Sequence, residues 1–468
     1  MSDRRVFRWA TTSARMLAGT VVSVAAVIAV VTAVSLPWPT LTLEPVSVSA
    51  EPAPAASVLA CDGGLLALGR DPSDAAAVTL ASPQSVTSGV SAGPAAEERE
   101  LETIGVPGAG TLALTAQPYE DARVDVAASG SSTVAADDLA GFAASACRPP
   151  LLESWLVGGS AATGAADLVL LSNPGVVAAA VSLTVYGAAG AQTPPGGSDI
   201  IVAPGTQRVV PLAGLALGEE SPVVRVSALG APIHAALQTS ITRTLTTGGV
   251  DQVGPVTLAE RNQTITGVAV RRSSSGDGAS GEVTVLRMLA PSTDATAQVT
   301  VTPVGRGAAR EPQEVALVAG QPVEVALPGL SAGLYTVDVV ADAPVVSAVW
   351  QATGTGEGDD FAWLTPAPKL SAPTMLAAPS GPTPVLSIVN AEDADVRVRV
   401  RTDTGADVQE VVVPASGSVS VRLQPRGVYV LDPDATVRAA LSLSGDGAIA
   451  GFPVWPADAA APEIVVYP

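Results

Sequence analysis

The chain of 468 residues is short of most residue types that do chemistry. It has one histidine, His234, one lysine, Lys369, and two cysteines, Cys61 and Cys147. A single histidine excludes two-histidine zinc sites and leaves a Ser-His-Asp triad only one base to use. A single lysine leaves neither a G-x-x-x-x-G-K-[ST] phosphate loop nor a Ser-x-x-Lys pair. The cysteines are too far apart in sequence for a C-x-x-C redox or zinc motif, and no Gly-x-Ser-x-Gly turn occurs. Aromatic residues are 3% of the chain, so any core is built from Val, Leu, Ile and Ala. Positive charge is scarce, and the net charge is −20. Nucleic acids and anionic lipid surfaces both require a basic footprint, so the bulk of the chain binds neither.

Apolar residues make up 47%, and 45 Gly with 39 Pro imply frequent turns and few long helices. The length suggests several domains. Residues 1–15 carry Arg4, Arg5, Arg8 and Arg15 against Asp3 and form a basic tail. Residues 16–38 then run without a charge, long enough to span a bilayer as a helix. Arginines before the span and none soon after it put the N-terminus in the cytoplasm and the rest outside. The apolar run exceeds that of a cleaved signal peptide, so a retained anchor is expected, with cleavage after Val48-Ser49-Ala50 as the alternative. A Pro- and Ala-rich linker follows over 39–58.

"SVLAC", ending at Cys61, has the look of a lipid-attachment site. However, the linker separates it from the apolar run, and a lipidated cysteine directly follows that run. In an oxidising compartment, Cys61 and Cys147 are expected to form one disulfide.

Three stretches share one layout: Ala166–Gly190, Glu282–Gly307 and Thr383–Gly405. Each has an apolar strand, a short break, an alternating strand and a Gly turn. The breaks are Asn173-Pro174, Ala290-Pro291 and Asn390-Ala391. In the third copy Val396, Val398 and Val400 face one side and Arg397, Arg399 and Arg401 the other, as in a half-buried antiparallel strand. Strand pairs with turns at Gly205, Gly320 and Gly417 follow. Lead strands "SWLVGG", "TITGVAV" and "PTMLAAP" precede. About seven strands per copy predict an all-β chain of tandem Ig-like β-sandwiches over 151–250, 260–356 and 370–468. Residues 59–150 are expected to be a β-rich, disulfide-containing region. There Ala135–Cys147 reads as a short helix and the acidic Gly93–Gly108 as a surface loop.

"SWLVGG", "LLSNPG", "VSLTVYG" and "TRTLTTGGVD", together with the anchor, resemble an actinobacterial family built on a domain of unknown function, found in secreted proteins with an N-terminal membrane helix. The resemblance covers most of 59–468 and implies an extracytoplasmic β-rich protein. It carries over no catalytic residues.

His234, in "APIHAAL", aligns with Val346 and Arg438 of the other copies and reads as a surface or rim residue. The acidic "GTGEGDD", Gly354–Asp360, and the two "SGDG" segments at Ser275 and Ser444 read as solvated turns rather than calcium loops. Trp155 and Trp350 fall on alternating strands and read as core. Trp363, after an acidic loop, is the possible glycan contact. No catalytic, cofactor-binding or metal-binding residue is expected, and no cofactor. The expected function is therefore a non-enzymatic, single-pass scaffold or interaction protein of the cell envelope. The alternatives are a cell-wall glycan-binding or envelope-assembly accessory beside a membrane glycosyltransferase, and a hydrolase using two carboxylates. The expected partners are the membrane, through 16–38, and an envelope protein or cell-wall glycan.

Overall fold

The computed structural model describes residues 3–35, 48–50, 54–74, 76–244, 246–271, 284–305, 307–405, 408–456 and 464–466. They fall into two compact units, residues 1–52 with 462–468, and residues 53–461. The end of the expected span at 36–38, most of the linker and the "SGDG" at Ser275 lie outside the described residues.

In the smaller unit, Asp3–Ser35 is one helix. Its stretch Ser13–Ser35 has a mean hydropathy of 2.5 and is long and apolar enough to cross a membrane. Strand Val48–Ala50 pairs antiparallel with Ile464–Val466.

The larger unit is built of strands, and one pairing scheme recurs through it. In residues 153–253, Glu153–Val157 pairs with Val223–Leu229, which pairs with Ala179–Gly187, which pairs with Ile200–Val202. The second sheet runs Thr206–Pro211, Leu168–Asn173, His234–Arg243, Thr246–Val253. Ignoring the short extra strand Gly190–Gln192, the strand orders are 1-6-3-4 and 5-2-7-8. Residues 260–364 and 374–453 repeat both orders. In 260–364 the sixth and seventh strands are halves of one 20-residue strand, Gly333–Ala352. The expected alternation is present in 374–453, where Val396, Val398 and Val400 are buried and Arg397 and Arg399 exposed. Each of the three segments encloses an apolar cluster between its two sheets.

Two features depart from expectation. The segments have eight strands rather than seven, and the eighth runs past the ends expected at residues 250 and 356. The constant-type immunoglobulin order sets strand 1 beside strand 2 and strand 7 beside strand 6. Here strand 1 lies beside strand 6 and strand 7 beside strand 2, so the two have exchanged sheets.

Residues 57–146 follow the same scheme in reduced form. Ser57–Ala60, Gly110–Ala116 and Glu97–Thr103 are joined in the order 1-6-3, and Ser85–Val90, Val126–Ala135 and Ala140–Ala146 in the order 2-7-8. Strands 4 and 5 are missing, and a hairpin, Leu65–Leu68 with Val78–Ser82, is inserted after strand 1. Cys61 and Cys147 are disulfide-bonded within this unit's core, beside Leu114 and Ala128.

Two expectations fail in this unit. The expected helix at Ala135–Cys147 is strand Ala140–Ala146. Its Ala content favours helix, but both faces are buried, Phe142 and Ala144 toward one apolar cluster and Ala143 toward another. A strand buried on both faces has no polar alternation to reveal it. The expected acidic loop contains strand Glu97–Thr103, whose exposed carboxylates hide a backbone paired to Gly110–Ala116.

The breaks after strand 2 hold a recurring buried group. Asn173 donates through Nδ2 to the carbonyls of Val177, 2.8 Å, and Val202, 2.9 Å, and accepts from Gly175 N–H at 3.0 Å. Asn390 donates to Ala394, 2.8 Å, and Val413, 3.2 Å, and accepts from Glu392 N–H at 2.8 Å. Both cross from the end of strand 2 to strand 4 of the opposite sheet. Ala290 stands at the equivalent break of 260–364, where Asp294 accepts from Ala319 N–H at 2.8 Å, as Asp395 accepts from Ala415 N–H at 2.9 Å in the unit that also has Asn390.

Candidate functional site

The eighth strands of the four units meet. Ala140–Ala146 packs on Thr246–Val253, which packs on Phe361–Leu364, which packs on Ala448–Pro453, which packs back on Ala140–Ala146. The ring closes around one side chain. Asp360, just before the eighth strand of the 260–364 unit, accepts from Phe142 N–H at 2.9 Å, Val250 N–H at 3.1 Å and Ile449 N–H at 3.4 Å. Its own strand begins at the next residue, Phe361. One carboxylate thus ties the inner strands of all four units.

Sequence explains why it fits. The residues preceding Phe142, Val250 and Ile449 are Gly141, Gly249 and Ala448, where the fourth unit of the ring has Asp360. A Cβ on Gly141 would lie 2.7 Å from Asp360 Oδ1, and one on Gly249 2.6 Å from it. Both glycines hold positive φ, 150° and 113°, which L side chains rarely adopt. Phe361 and the three donor residues also plug neighbouring cores: Phe361 enters the core of 153–253, Ile449 that of 260–364, Phe142 that of 374–453, and Val250 the cluster around Leu65 and Ala143.

Burial pushes Asp360 up to about 7 against the pull of its backbone N–H donors. Asp251 accepts from Trp363 N–H at 2.7 Å, and burial, reinforced by Asp360 nearby, raises it well above the ordinary value. Asp167 accepts from Ser160 N–H, 2.6 Å, and Ser240 N–H, 2.9 Å, and burial raises it to about 7.

His234 is not on the rim: it is 2% exposed and its Nε2 lies 2.6 Å from Asp62 Oδ1. It faces the inserted segment of the first unit, which the alignment of copies cannot show because that segment has no counterpart in them. A histidine and carboxylate together suggest half a triad, but His234 Nδ1 has no partner among the described residues. No nucleophile bonds to it, and neither side chain reaches solvent. Arg148 lies buried near Asp62 and 4.2 Å from the Trp455 ring centroid. Burial lowers it to about 9 while Asp62 raises it, so it stays charged at neutral pH.

Trp363 is 5% exposed and lies under the Arg287 guanidinium, 4.6 Å from it, so it is not a surface platform for sugars. The loop before it is not a wholly solvated turn either, since Asp359 and Asp360 of "GTGEGDD" are buried. Trp155 is core as expected, and Trp350 is half-buried. Among the described residues no group of three His, Cys, Asp or Glu side chains could hold a metal ion. A carboxylate hydrolase needs two carboxyl groups in an open cleft, and Asp251 and Asp360 are walled off by backbone and apolar side chains.

The geometry defines an all-β protein whose convergent ionisable groups are spent inside the fold. The model of a family of unknown function (DUF5719) matches residues 103–426, and the chain belongs to that family. No curated protein matches the chain. Among solved structures, it is similar to the FN1–FN3 domains of chicken CNTN1, with 10% identity over 80% of this chain and 99% of that one, at a TM-score of 0.12. The BSP domain of a biofilm-associated protein gives 9% identity over 78% of this chain and 67% of that one, at 0.12. Superpositions this poor carry no structural argument.

Proposed function

We propose that this protein is a non-enzymatic, single-pass membrane protein of the bacterial cell envelope, whose body of tandem sandwich units works outside the cytoplasm as a scaffold or interaction module. The units are a variant of the Ig type with strands 1 and 7 exchanged. The observation that carries the reading is the burial of Asp360, Asp251, Asp167 and the Asp62–His234 pair in contacts that join strands and units. Groups so placed hold a shape and cannot meet a substrate. Two further observations support the location. The helix over Ser13–Ser35 follows a basic tail, and the Cys61–Cys147 disulfide suits an oxidising compartment.

The test is protease treatment of cells stripped of their wall. Digestion of the body with survival of a tag on the N-terminal tail is the expected result. A body protected until the membrane is broken would refute the location. Intact mass of the purified protein should show a retained helix, no acyl chain on Cys61 and a mass two hydrogens below the reduced form.

A further inference from the structure

In the three full units, strand 4 covers the outer edge of strand 3: Ile200–Val202 on Ala179–Val181, Gln313–Leu317 on Ala295–Val299, and Gln409–Val413 on Val396–Val400. The first unit has no strand 4, and its strand 3, Glu97–Thr103, keeps part of that edge open. Thr206 and Gln207 of the next unit pair in parallel with Glu102 and Thr103 only.

The direction of the open groups follows from the bonds made. Glu102 N–H donates outward to Gly205 at 3.2 Å, and Thr103 N–H donates inward to Ala109 at 3.3 Å. Alternation along a strand then turns the N–H and C=O of Glu98 and Glu100 outward. Among the described residues no backbone group pairs with them on that side. The side chains of Glu98, Glu100 and Glu102 share one exposed face and make no ion pair among the described residues.

We propose that this edge is a β-augmentation site, completed by an extended segment of a partner protein with Arg or Lys at alternate positions. Main-chain hydrogen bonds would supply the missing strand and alternate side chains the selectivity. Successive same-face side chains on paired strands lie about 7 Å apart on both, so cations at every second residue meet Glu98 and Glu100 in register, with Glu102 next in the row where Thr206 takes over the edge. The charge pattern sets the partner's chemistry, since an acidic or apolar strand would face the Glu98 and Glu100 carboxylates with Glu102 beside them. This gives the interaction reading above a partner class, and its test does not depend on where the protein resides.

The probe is an end-blocked Arg-Val-Arg-Val-Arg peptide added to the full chain in detergent, read by residue-resolved amide exchange. Binding is expected to slow exchange at Glu98 and Glu100 at least tenfold. Glu98→Lys with Glu100→Lys is expected to weaken binding at least tenfold, with Glu98→Gln and Glu100→Gln intermediate. A peptide N-methylated on its edge-facing amides should fail to bind. Absence of binding at millimolar peptide, or binding that leaves those amides and both variants unaffected, would overturn the proposal. The carboxylates would then serve only to keep the edge from pairing.

Discussion

At the scale of single residues, Asp360 bears the most. Its oxygens face backbone N–H groups of three other units, and removing an acceptor from a buried donor costs about 1–3 kcal/mol. Asp360→Ala leaves several such donors at once, so a loss of about 3 kcal/mol or more is expected in urea unfolding. Asp360, Asp251 and Asp167 all sit above the ordinary carboxylate value because they are buried. The folded chain therefore keeps protons that the unfolded chain releases from about pH 4 upward. The stability from these groups is full below about pH 4 and is lost as pH rises through their folded values. The urea midpoint should be higher at pH 5 than at pH 8, and Asp360→Asn should flatten that slope. Asp71 and Asp138, held low by Ser73 and Arg70, do not titrate in this window. None of this was legible in "GTGEGDD". The donors to Asp360 are main-chain groups as far as 218 residues away, and backbone amides leave no signature in the residue type.

At the scale of elements, sequence pattern succeeds where one face of a strand is wet and fails where neither is. Val396–Thr402 was readable from its Val-Arg alternation. The eighth strands were not, because all four residues of Phe361–Leu364 are buried and Ala140–Ala146 is nearly so. Those unread strands carry the centre of the molecule. The breaks after strand 2 were legible as turns, but their Asn side chains were not legible as cross-sheet ties. Asn173 and Asn390 each satisfy carbonyls at two places. Asn390→Ala is expected to cost about 2–3 kcal/mol by leaving buried carbonyls unpaired. Asn173→Ala should cost about the same, whereas Ala290→Ser, which cannot span to strand 4 as the Asn side chains do, should change little. Thermal or urea unfolding of the three variants checks the order.

At the scale of the whole molecule, the pairing scheme of the three segments aligned in sequence also runs, in reduced form, through residues 57–146. That segment did not align with the others because it has no strands 4 and 5 and carries an extra hairpin, which changes the spacing between its strands. Tandem domains by default move independently on their linkers. Here each unit places at least one side chain of its eighth strand in a neighbour's core, and one carboxylate of the 260–364 unit accepts from the eighth strands of the other three. The ring should therefore unfold as one body, and the disulfide of the first unit stabilises the others through it. The direct test is segment-resolved hydrogen exchange of the full chain in increasing urea. The account predicts that Phe142, Val250, Phe361 and Ile449 lose protection together at one urea concentration, and that Asp360→Ala lowers all four midpoints. Separate midpoints in the wild-type chain, with the variant shifting only the 260–364 unit, would contradict it.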